Sequence, residues 1–296
     1  HAHAYRAWDA AGRPGAGCGM ALNSDYCLAF SSSSEDRAAA ERCLEWQIPL
    51  FLDPLAYGRW PASIDAVVSE RGEPAQWAWT DDELSLVVEG GAHDGAAHVF
   101  VNTYTTRYAR AVPGDAAPNV SFEGDMRAEV SGTNFTDGRP IGTPSTNGWL
   151  FNYGAGARAL LAWLDRRYPN RTFVITENGW GNATQPSLDA ELRDLERCRF
   201  YRDYVSNVSA AAVLDGVDVA AYFAWSLLDN FEWADGYATR FGLVYVNYTS
   251  QRRIVKASGR YFRDHIASAT DLADTLDLPS CDDYYANLPR TLDDDD

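Results

Sequence analysis

The sequence lacks long apolar runs and an excess of basic residues, and each absence excludes a class of protein. No apolar stretch approaches the roughly 20 residues that a membrane-spanning helix needs, so we expect no membrane span. Only 25 residues are Lys or Arg against 42 Asp or Glu, which gives a net charge of −17. Nucleic acids and anionic membranes bind basic surfaces, so this charge argues against both as partners.

Cysteine is also scarce, and its spacing shows no recognisable pattern. The five cysteines are an odd number and contain no Cys-x-x-Cys pair. The sequence therefore predicts neither a zinc site nor a disulfide framework. No other metal or cofactor motif is apparent, and we expect neither group. The cysteines are Cys18, Cys27, Cys43, Cys198 and Cys281.

Apolar and aromatic residues are abundant in the 296 residues. Hydrophobic residues make up 46% of the chain, enough for a packed core in one large domain or two small ones. Aromatic residues reach 13%, with 10 Trp, 16 Tyr and 12 Phe. Aromatic faces are also the surfaces on which sugar rings stack.

Strand and helix patterns alternate along the chain, which favours a parallel α/β architecture. No internal repeat is visible, and the four strand–helix units are half of what a closed eight-stranded barrel requires. The predicted strands are Met20–Ser24, His98–Tyr104, Thr172–Thr176 and Val219–Trp225. The predicted helices run from the Ser31–Ser34 cluster to about Gln47, over Ala157–Tyr168, from about Leu188 to Leu214, and from Lys256 to about Ile266.

Three segments fall outside this alternation. Residues 113–147 are rich in Gly, Pro and Asp and are predicted to form a loop, longer than a compact domain usually tolerates without a function. Residues 267–296 are acidic and irregular, and we expect a disordered tail there, after a barrel portion over residues 1–266. The chain starts without Met inside an apparent helix, so we expect that its amino terminus is missing.

The stretch TFVITENGW, from Thr172 to Trp180, places a glutamate at the end of a strand. Phe173, Val174 and Ile175 form the continuous apolar run of a parallel strand covered on both faces. Glu177 follows, and the carboxyl ends of parallel strands are where α/β proteins place their chemistry. Many strands also end in an acidic residue that only caps the next helix, so this position alone leaves both interpretations open.

The segment from Ala224 to Val246 places Glu232 between Trp225 and Trp233. A single Trp in a strand is usually part of the core. An indole face beside a carboxylate can also bind a sugar, because the ring packs on the indole and the hydroxyls bond to the carboxylate.

TENG at Thr176–Gly179 and the whole Ala224–Val246 segment resemble glycoside hydrolase family 1, the retaining β-glucosidases and their relatives. The likeness extends from His1 to about Ile266. It implies the carboxyl-terminal part of a (β/α)8 TIM barrel, truncated at its amino terminus and containing about strands 5 to 8. The other matching stretches, in order, are LNSDY, FLDPLAYGRWP, NTYTTRY, DGRPIG and GWLFNYGAGAR.

The resemblance implies a role for each matching position. Glu177 corresponds to the catalytic nucleophile and Tyr104 to the tyrosine that orients it through a hydrogen bond. The residues implied to bind or line the sugar are Asn102, Trp225, Glu232, Trp233 and Phe241. For Asn102 and Phe241, packing is the alternative role.

Comparison with the family pattern limits the substrate class and shows two positions at which this chain departs from that pattern. Phospho-β-glycosidases have Ser, Lys and Tyr where this chain has Glu232, Thr239 and Phe241, so we expect an unphosphorylated glycoside or oligosaccharide as substrate. Phe100 replaces a usual glycine and Gly154 a usual proline. A bulky side chain at a glycine position can disturb close strand packing.

Retaining hydrolysis needs a second carboxyl group as acid/base, and the resemblance implies that it belongs to an Asn-Glu-Pro motif absent from this chain. Glu232 cannot replace it while binding hydroxyls, and nothing recommends Glu73, Glu83 or Glu123. We therefore expect a retaining β-glycosidase in full length and an inactive chain in isolation. The alternatives are a carbohydrate-binding pseudoenzyme and a transglycosidase that uses the same nucleophile.

Sequons for N-glycosylation are more frequent than chance predicts. The chain has 13 Asn and six Asn-x-Ser/Thr sequons, where composition predicts about two. This excess favours a secreted or vacuolar glycoprotein, although composition bias could also produce it. The six positions are Asn119, Asn134, Asn170, Asn182, Asn207 and Asn247.

Overall fold

The computed structural model describes residues 1–12, 18–72, 79–91, 98–112, 121–289 and 292. The helices are α1 (Ala2–Ala10), α2 (Ser34–Glu45), α3 (Ile48–Tyr57), α4 (Ala62–Glu70), α5 (Asp81–Gly91), α6 (Phe122–Met126), α7 (Ala155–Arg167), α8 (Leu188–Leu192), α9 (Leu195–Asp215), α10 (Ala257–Tyr261) and α11 (Cys281–Ala286). The strands are β1 (Met20–Asn23), β2 (Tyr26–Ala29), β3 (His98–Asn102), β4 (Thr106–Ala111), β5 (Ala128–Ser131), β6 (Thr143–Pro144), β7 (Phe151–Asn152), β8 (Thr172–Asn178), β9 (Asn182–Ala183), β10 (Val219–Ala224), β11 (Thr239–Arg240), β12 (Val244–Val246) and β13 (Arg253–Val255).

A four-stranded parallel sheet forms the centre of the fold, in the order β1, β3, β8, β10. Each of its strands is one of the four that the sequence predicts, with ends that differ by one or two residues. The strands are short, parallel and joined through helices, as consecutive strands of a (β/α)8 barrel are. The α/β fold class and the partial barrel are confirmed.

On the two inner strands one face of the sheet is fully buried, whereas the alternate residues on the other face, such as Phe100 and Val174, are half-buried. Val99 and Val101 on β3, and Phe173 and Ile175 on β8, are at most 1% exposed. On the outer face, α7 contributes three fully buried leucines at helical spacing, Leu160, Leu161 and Leu164. This packing holds the carboxyl end of β8 rigidly in place.

The two departures from the family pattern fit the local packing. The ring of Phe100 lies against Gly19, where a Cβ would be 3.0 Å from a ring carbon. The β1–β3 register passes through Ala21 and Phe100 without interruption. A Cβ on Gly154 would lie 2.5 Å from the carbonyl oxygen of Asp203, so the missing side chain there lets α7 approach α9.

The predicted loop at 113–147 is partly wrong. Residues 113–120 lie outside the described part of the chain, but α6, β5 and β6 occupy much of the remainder. Strand β5 pairs with β4, which pairs with β2, and together they form a second sheet that the sequence does not signal. These strands are only four to six residues long, so their alternation is too brief to recognise.

The predicted helix from Leu188 to Leu214 is two helices, α8 and α9, separated at Arg193 and Asp194. The Asp194 carboxylate accepts hydrogen bonds from the backbone N–H and the hydroxyl of Ser258, at 3.0 and 2.6 Å, and pairs with Arg197. Such tertiary bonds outweigh the propensity to continue the helix. Helix α9 ends as predicted, with Gly216 in the left-handed conformation at φ 77°.

The helix predicted from Lys256 to about Ile266 is helical in the structure, but its second half is not an α-helix. The α-helical turns end at Tyr261, and residues Phe262–Ala267 form a π-helix.

The expected disordered tail is wrong for the described residues beyond 266. A 3₁₀ turn at Leu272–Thr275 precedes α11, and Thr275, Leu278 and Cys281 are buried. Cys281 forms a disulfide with Cys198 on α9, which fixes this segment against the barrel portion. The acidic composition predicted disorder because the few apolar residues that fix this segment are too widely spaced to form a recognisable pattern.

Two disulfides also correct the prediction that no disulfide framework exists. Cys27 joins Cys43, Cys198 joins Cys281, and Cys18 is free. The partners are 16 and 83 residues apart, so no short motif marks them in the sequence. In the part of the chain that the structure describes, no helix is long and apolar enough to cross a membrane.

Candidate active site

Glu177 lies at the carboxyl end of β8, next to the end of β3. The register pairs Asn102 with Glu177, after an irregularity that follows Val101. The backbone N–H of Thr103 donates to the Glu177 carbonyl at 2.9 Å. The backbone that carries the carboxylate is therefore fixed by the sheet, while the side chain remains partly exposed.

The Tyr104 hydroxyl donates a hydrogen bond to the Glu177 carboxylate, with 2.6 Å between the oxygens. Burial, followed by the hydrogen bond and charge of Glu177, raises the pKa of Tyr104 far above its ordinary value of 10. The phenol therefore stays protonated and acts as a donor. A donor aimed at a carboxylate stabilises its ionised form and limits its rotation.

Packing on three sides holds Tyr104. The Tyr204 hydroxyl donates to its carbonyl oxygen at 3.1 Å. The rings of Trp149 and Phe241 meet the Tyr104 ring edge to face, with centroids 5.8 and 6.1 Å away. The hydroxyl consequently has one accessible position, beside Glu177.

Asn102 lies beside the carboxylate but is engaged by its neighbour. Its Oδ1 accepts a hydrogen bond from the Thr176 hydroxyl at 2.5 Å. This bond links the ends of β3 and β8. Asn102 can orient the strand ends and still present its Nδ2 group to the site.

Asn178 is a site residue that the sequence interpretation did not identify. Its side chain is fully buried, donates to the Thr103 carbonyl at 2.6 Å and accepts from the Tyr222 hydroxyl at 2.5 Å. It therefore joins β8 to both neighbouring strands. Its place in the TENG stretch, directly after Glu177, was the available signal.

Trp225 follows β10 and lies next to the end of β8. Its backbone N–H donates to the Asn178 carbonyl at 2.8 Å, and its carbonyl accepts from the Tyr201 hydroxyl at 3.1 Å. A Cβ on Gly179 would lie 1.7 Å from that same carbonyl oxygen, so only glycine fits there. These contacts place the Trp225 indole, which is partly exposed, at the carboxyl edge of the sheet.

Glu232 is brought into the same site. Burial raises the pKa of Glu232, a hydrogen bond with the Trp225 side chain lowers it, and the charges of Asp235 and Glu177 raise it. The net direction is upward. The Glu177 charge and the Trp225 side chain both act on Glu232, so the three side chains lie near one another.

Trp233 and Phe241, by contrast, have opposite environments. Trp233 begins a 3₁₀ turn and its side chain is 82% exposed, so the described residues do not enclose it. Phe241 is 2% exposed and packs on Tyr104 and on Gly181, where a Cβ would be 2.5 Å from the ring. In this structure Phe241 acts as packing, which is the alternative that the sequence left open.

A buried ionic cluster centred on Asp229 supports the loop that contains Glu232. The Asp229 carboxylate accepts from Lys256 Nζ at 2.8 Å, from Arg240 at 2.6 Å and from the Gly242 N–H at 2.9 Å. Lys256 and Asp229 are both 0% exposed. Burial alone would raise the pKa of Asp229, but the charges and hydrogen bonds of Lys256, Arg197 and Arg240 hold it below its ordinary value.

The other glutamates named from the sequence lie elsewhere. Glu83 accepts hydrogen bonds from Thr80 at the start of α5, and Glu123 is exposed on α6. Glu73 lies outside the described residues. Within the described residues, no group of three or more His, Cys, Asp or Glu side chains could hold a metal ion.

The comparisons with known proteins agree with this geometry. The glycosyl hydrolase family 1 profile matches residues 1–270. Beta-glucosidase 1B of Phanerodontia chrysosporium is 37% identical over 278 residues, which cover 91% of this chain and 48% of that protein. Beta-glucosidase 44 of Arabidopsis thaliana is 34% identical over 83% of this chain and 46% of its own. The chain therefore spans about half the length of these curated relatives.

Solved structures show the same relation. A family 1 β-glucosidase of the fungus Humicola insolens, determined in complex with glucose, superposes with a TM-score of 0.81 at 33% identity. The match covers 93% of this chain and 55% of that one. A Trichoderma harzianum β-glucosidase gives a TM-score of 0.80 at 32% identity, over 93% and 56%. The chain belongs to glycosyl hydrolase family 1.

Proposed function

We propose that this chain supplies the nucleophile and part of the sugar-binding surface of a retaining β-glycosidase. The observation that supports this most is the Glu177 carboxylate at the end of β8, held by the Tyr104 hydroxyl at 2.6 Å. An oriented, ionised carboxylate on a rigid strand end is what nucleophilic attack at an anomeric carbon needs.

In the proposed reaction, Glu177 attacks the anomeric carbon and forms an ester with the sugar. The bond from that carbon to the glycosidic oxygen breaks, and the leaving oxygen takes a proton from an acid. Water then attacks the same carbon, transfers a proton to the conjugate base of that acid, and releases Glu177. Tyr104 orients the carboxylate throughout.

The sugar would lie over Trp225, with its hydroxyls bonded to Glu232 and Asn102. The exposed Trp233 is available for stacking, and Phe241 supports Tyr104 from behind. Glu232 carries negative charge where a sugar phosphate would need a cation or hydroxyl donor, so the substrate is an unphosphorylated β-glucoside or related β-glycoside.

The acid/base group has to come from outside these residues. Retaining enzymes place their two carboxyl groups about 5 to 5.5 Å apart. The Glu177 charge and the Trp225 side chain both act on Glu232, and we assign Glu232 to the sugar-binding surface. Loss of general acid assistance costs about 10²- to 10⁴-fold in rate. The complete protein is the hydrolase, and the 296-residue chain alone is inactive.

The test compares this chain with the complete protein on an aryl β-glucoside and on a 2-deoxy-2-fluoro glycoside that traps the nucleophile. We expect turnover by the complete protein only, and a covalent sugar mapped to Glu177 by peptide mass spectrometry. Glu177→Gln should abolish both signals. Turnover that survives Glu177→Gln would disprove the nucleophile assignment, and turnover by the isolated chain that Glu177→Gln abolishes would disprove the need for a second half.

Sugar binding without hydrolysis is a second candidate, favoured by the exposed indole of Trp233 and by a single candidate catalytic carboxylate, Glu177. A binding protein would retain glucoside affinity in equilibrium titrations and show no trapped sugar in the complete protein. A transglycosidase would trap the sugar and pass it to an added alcohol or sugar acceptor instead of water, which product analysis detects.

The two disulfides support a location in an oxidising compartment, either secreted or vacuolar. Neither pair is a Cys-x-x-Cys redox motif, and both cross-link separate elements. Mass spectrometry of the non-reduced natural protein should recover the peptides containing Cys27 and Cys43 in one species, and those containing Cys198 and Cys281 in another. Free thiols at all five cysteines would contradict this location.

A further inference from the structure

Of the five sequons in the described residues, Asn182 lies in β9, and the other four lie either in turns or within a packed helix. We propose that Asn134, Asn170 and Asn247 are acceptor sites for N-linked glycans and that Asn207 is not. In the transfer, Asn Nδ2 bonds to the anomeric carbon of a lipid-linked oligosaccharide and loses a proton. The bond from that carbon to the lipid diphosphate breaks. The proposal is independent of the catalytic role of Glu177.

Asn134 and Asn247 share a turn in which the sequon folds onto its own asparagine. The N–H of Thr136 donates to Asn134 Oδ1 at 2.8 Å, and the N–H of Thr249 donates to Asn247 Oδ1 at 3.1 Å. Each bond joins the first and third residues of the sequon, as in an Asx turn. The carboxamide oxygen is occupied by the turn, and Nδ2 is directed away from it.

The surroundings of these two turns leave room for a glycan. Thr136 and Thr249, the third residues of the sequons, are exposed. Among the contacts of the described residues, neither Asn134 Nδ2 nor Asn247 Nδ2 has a hydrogen-bond partner. A sugar attached to either nitrogen therefore displaces no internal bond.

Asn170 lies in the turn between α7 and β8 and is exposed, with φ at 62°. It precedes the amino end of β8, whereas Glu177 lies near the carboxyl end, about 17 Å along the strand at 3.3 Å per residue. A glycan on Asn170 therefore lies at the amino end of the sheet strands, opposite the end that carries the candidate active site.

Asn207 has the opposite environment. It lies within α9, its Nδ2 donates to the Asp203 carbonyl at 2.8 Å, and the same nitrogen lies 3.1 Å from the Cβ position of Gly154. Ser209, the third residue of its sequon, is 1% exposed and bonded to Thr275 at 2.6 Å. A glycan here would have to separate α9 from its neighbours, so the folded protein cannot carry one.

The experiment directs the full chain into a eukaryotic secretory pathway with a cleavable signal sequence. The protease-resistant fraction is then treated with peptide-N-glycosidase in H₂¹⁸O and mapped by peptide mass spectrometry. We expect ¹⁸O-labelled aspartate at positions 134, 170 and 247 and unmodified Asn207. Each of Asn134→Gln, Asn170→Gln and Asn247→Gln should remove the mass of one glycan from the intact chain.

Asn207→Gln is the matched control and should leave the number of glycans on the intact chain unchanged. The total secreted protein is mapped as well as the protease-resistant fraction. The acceptor sites are modified before folding, so this second map tests the proposal even if little protein resists protease. Unmodified asparagine at all three turn positions would overturn the proposal. Label at position 207 in the protease-resistant fraction would overturn its steric basis.

Discussion

The two carboxylates of the candidate site have different surroundings. Glu177 accepts a hydrogen bond from the Tyr104 phenol, whose pKa is raised far above its ordinary value by burial and by the hydrogen bond and charge of Glu177. Glu232 lies near the Trp225 side chain, and burial raises its pKa. The first arrangement suits a nucleophile and the second suits binding of sugar hydroxyls.

Tyr104→Phe should slow formation of the covalent intermediate while leaving Glu177 in place. A hydrogen bond to a charged group contributes about 1.5–3 kcal/mol, so we expect a loss of about 10- to 100-fold in the rate of trapping by a 2-fluoro glycoside in the complete protein. Tyr284→Phe is the control, because it removes a hydroxyl–carboxylate bond to Asp264, on the carboxyl-terminal segment. Equal effects of the two variants would contradict the orienting role of Tyr104.

At the scale of elements, the Asp229 cluster fixes the segment between β10 and β12. It joins this segment to Lys256 just before α10 and to the N–H groups of Gly242 and Val246. The segment includes Glu232 and Phe241. The positions of these two candidate site residues therefore depend on a charged group that is buried outside the candidate site.

Asp229→Asn should destabilise the chain strongly, because Lys256 would remain buried without its paired carboxylate and Arg240 would keep only its 3.4 Å contact with Glu191. Removing one partner of a buried pair costs about 3–5 kcal/mol, which urea unfolding measures. Asp215→Asn breaks an exposed pair with Arg158 and should have little effect. Similar destabilisation by both variants would contradict the cluster's structural role.

The same cluster gives the chain a defined sensitivity to acid. The pKa of Asp229 is lower in the folded protein than its ordinary value of 3.8, so the folded state binds fewer protons near that pH than the unfolded state. Its stabilising contribution is complete above pH 3.8 and is lost as pH falls through the folded pKa. Asp229→Asn should therefore flatten the dependence of unfolding free energy on pH in this acidic range.

The disulfide between Cys198 and Cys281 holds α11 on α9. Replacing both residues with Ser should cost about 2–5 kcal/mol and expose the segment after residue 267 to protease, since the closed loop is long. Cys18→Ser removes a free thiol and should change neither property. An unchanged proteolysis pattern in the double variant would show that packing alone fixes the segment.

At the scale of the whole molecule, β1 and β10 are the outer strands of the four-stranded sheet. Near β10, Phe223 and Leu227 are 57% and 69% exposed. An uncovered strand edge with apolar side chains favours association with other chains. In a closed barrel, four further strands would cover these edges.

Phe223→Lys combined with Leu227→Lys should lower aggregation and the binding of a hydrophobic dye by the isolated chain. The melting temperature should change little, because neither side chain is packed in this structure. Val112→Lys, at a 43% exposed position that follows β4 of the second sheet, is the control. If the control variant reduced dye binding equally, the exposed apolar surface that binds the dye would not be the β10 edge.

Motifs in the sequence were enough to predict the family, the four parallel strands and the position of Glu177. Each of these depends on a local pattern: an apolar run ending in a carboxylate, or a long signature in register. The Tyr104–Glu177 contact, implied by the resemblance, is present in the structure as a hydrogen bond. The roles of these residues in catalysis remain proposals.

Other features were settled by tertiary structure alone, because they depend on residues far apart in sequence. Asp229 and Lys256 are 27 residues apart, and Cys198 and Cys281 are 83 residues apart. The order of the segment after residue 267 follows from such contacts, as do the burial of Phe241 and the linking role of Asn178. Local patterns determine which residues can do chemistry, whereas long-range packing decides which of them meet, because folding brings distant side chains together.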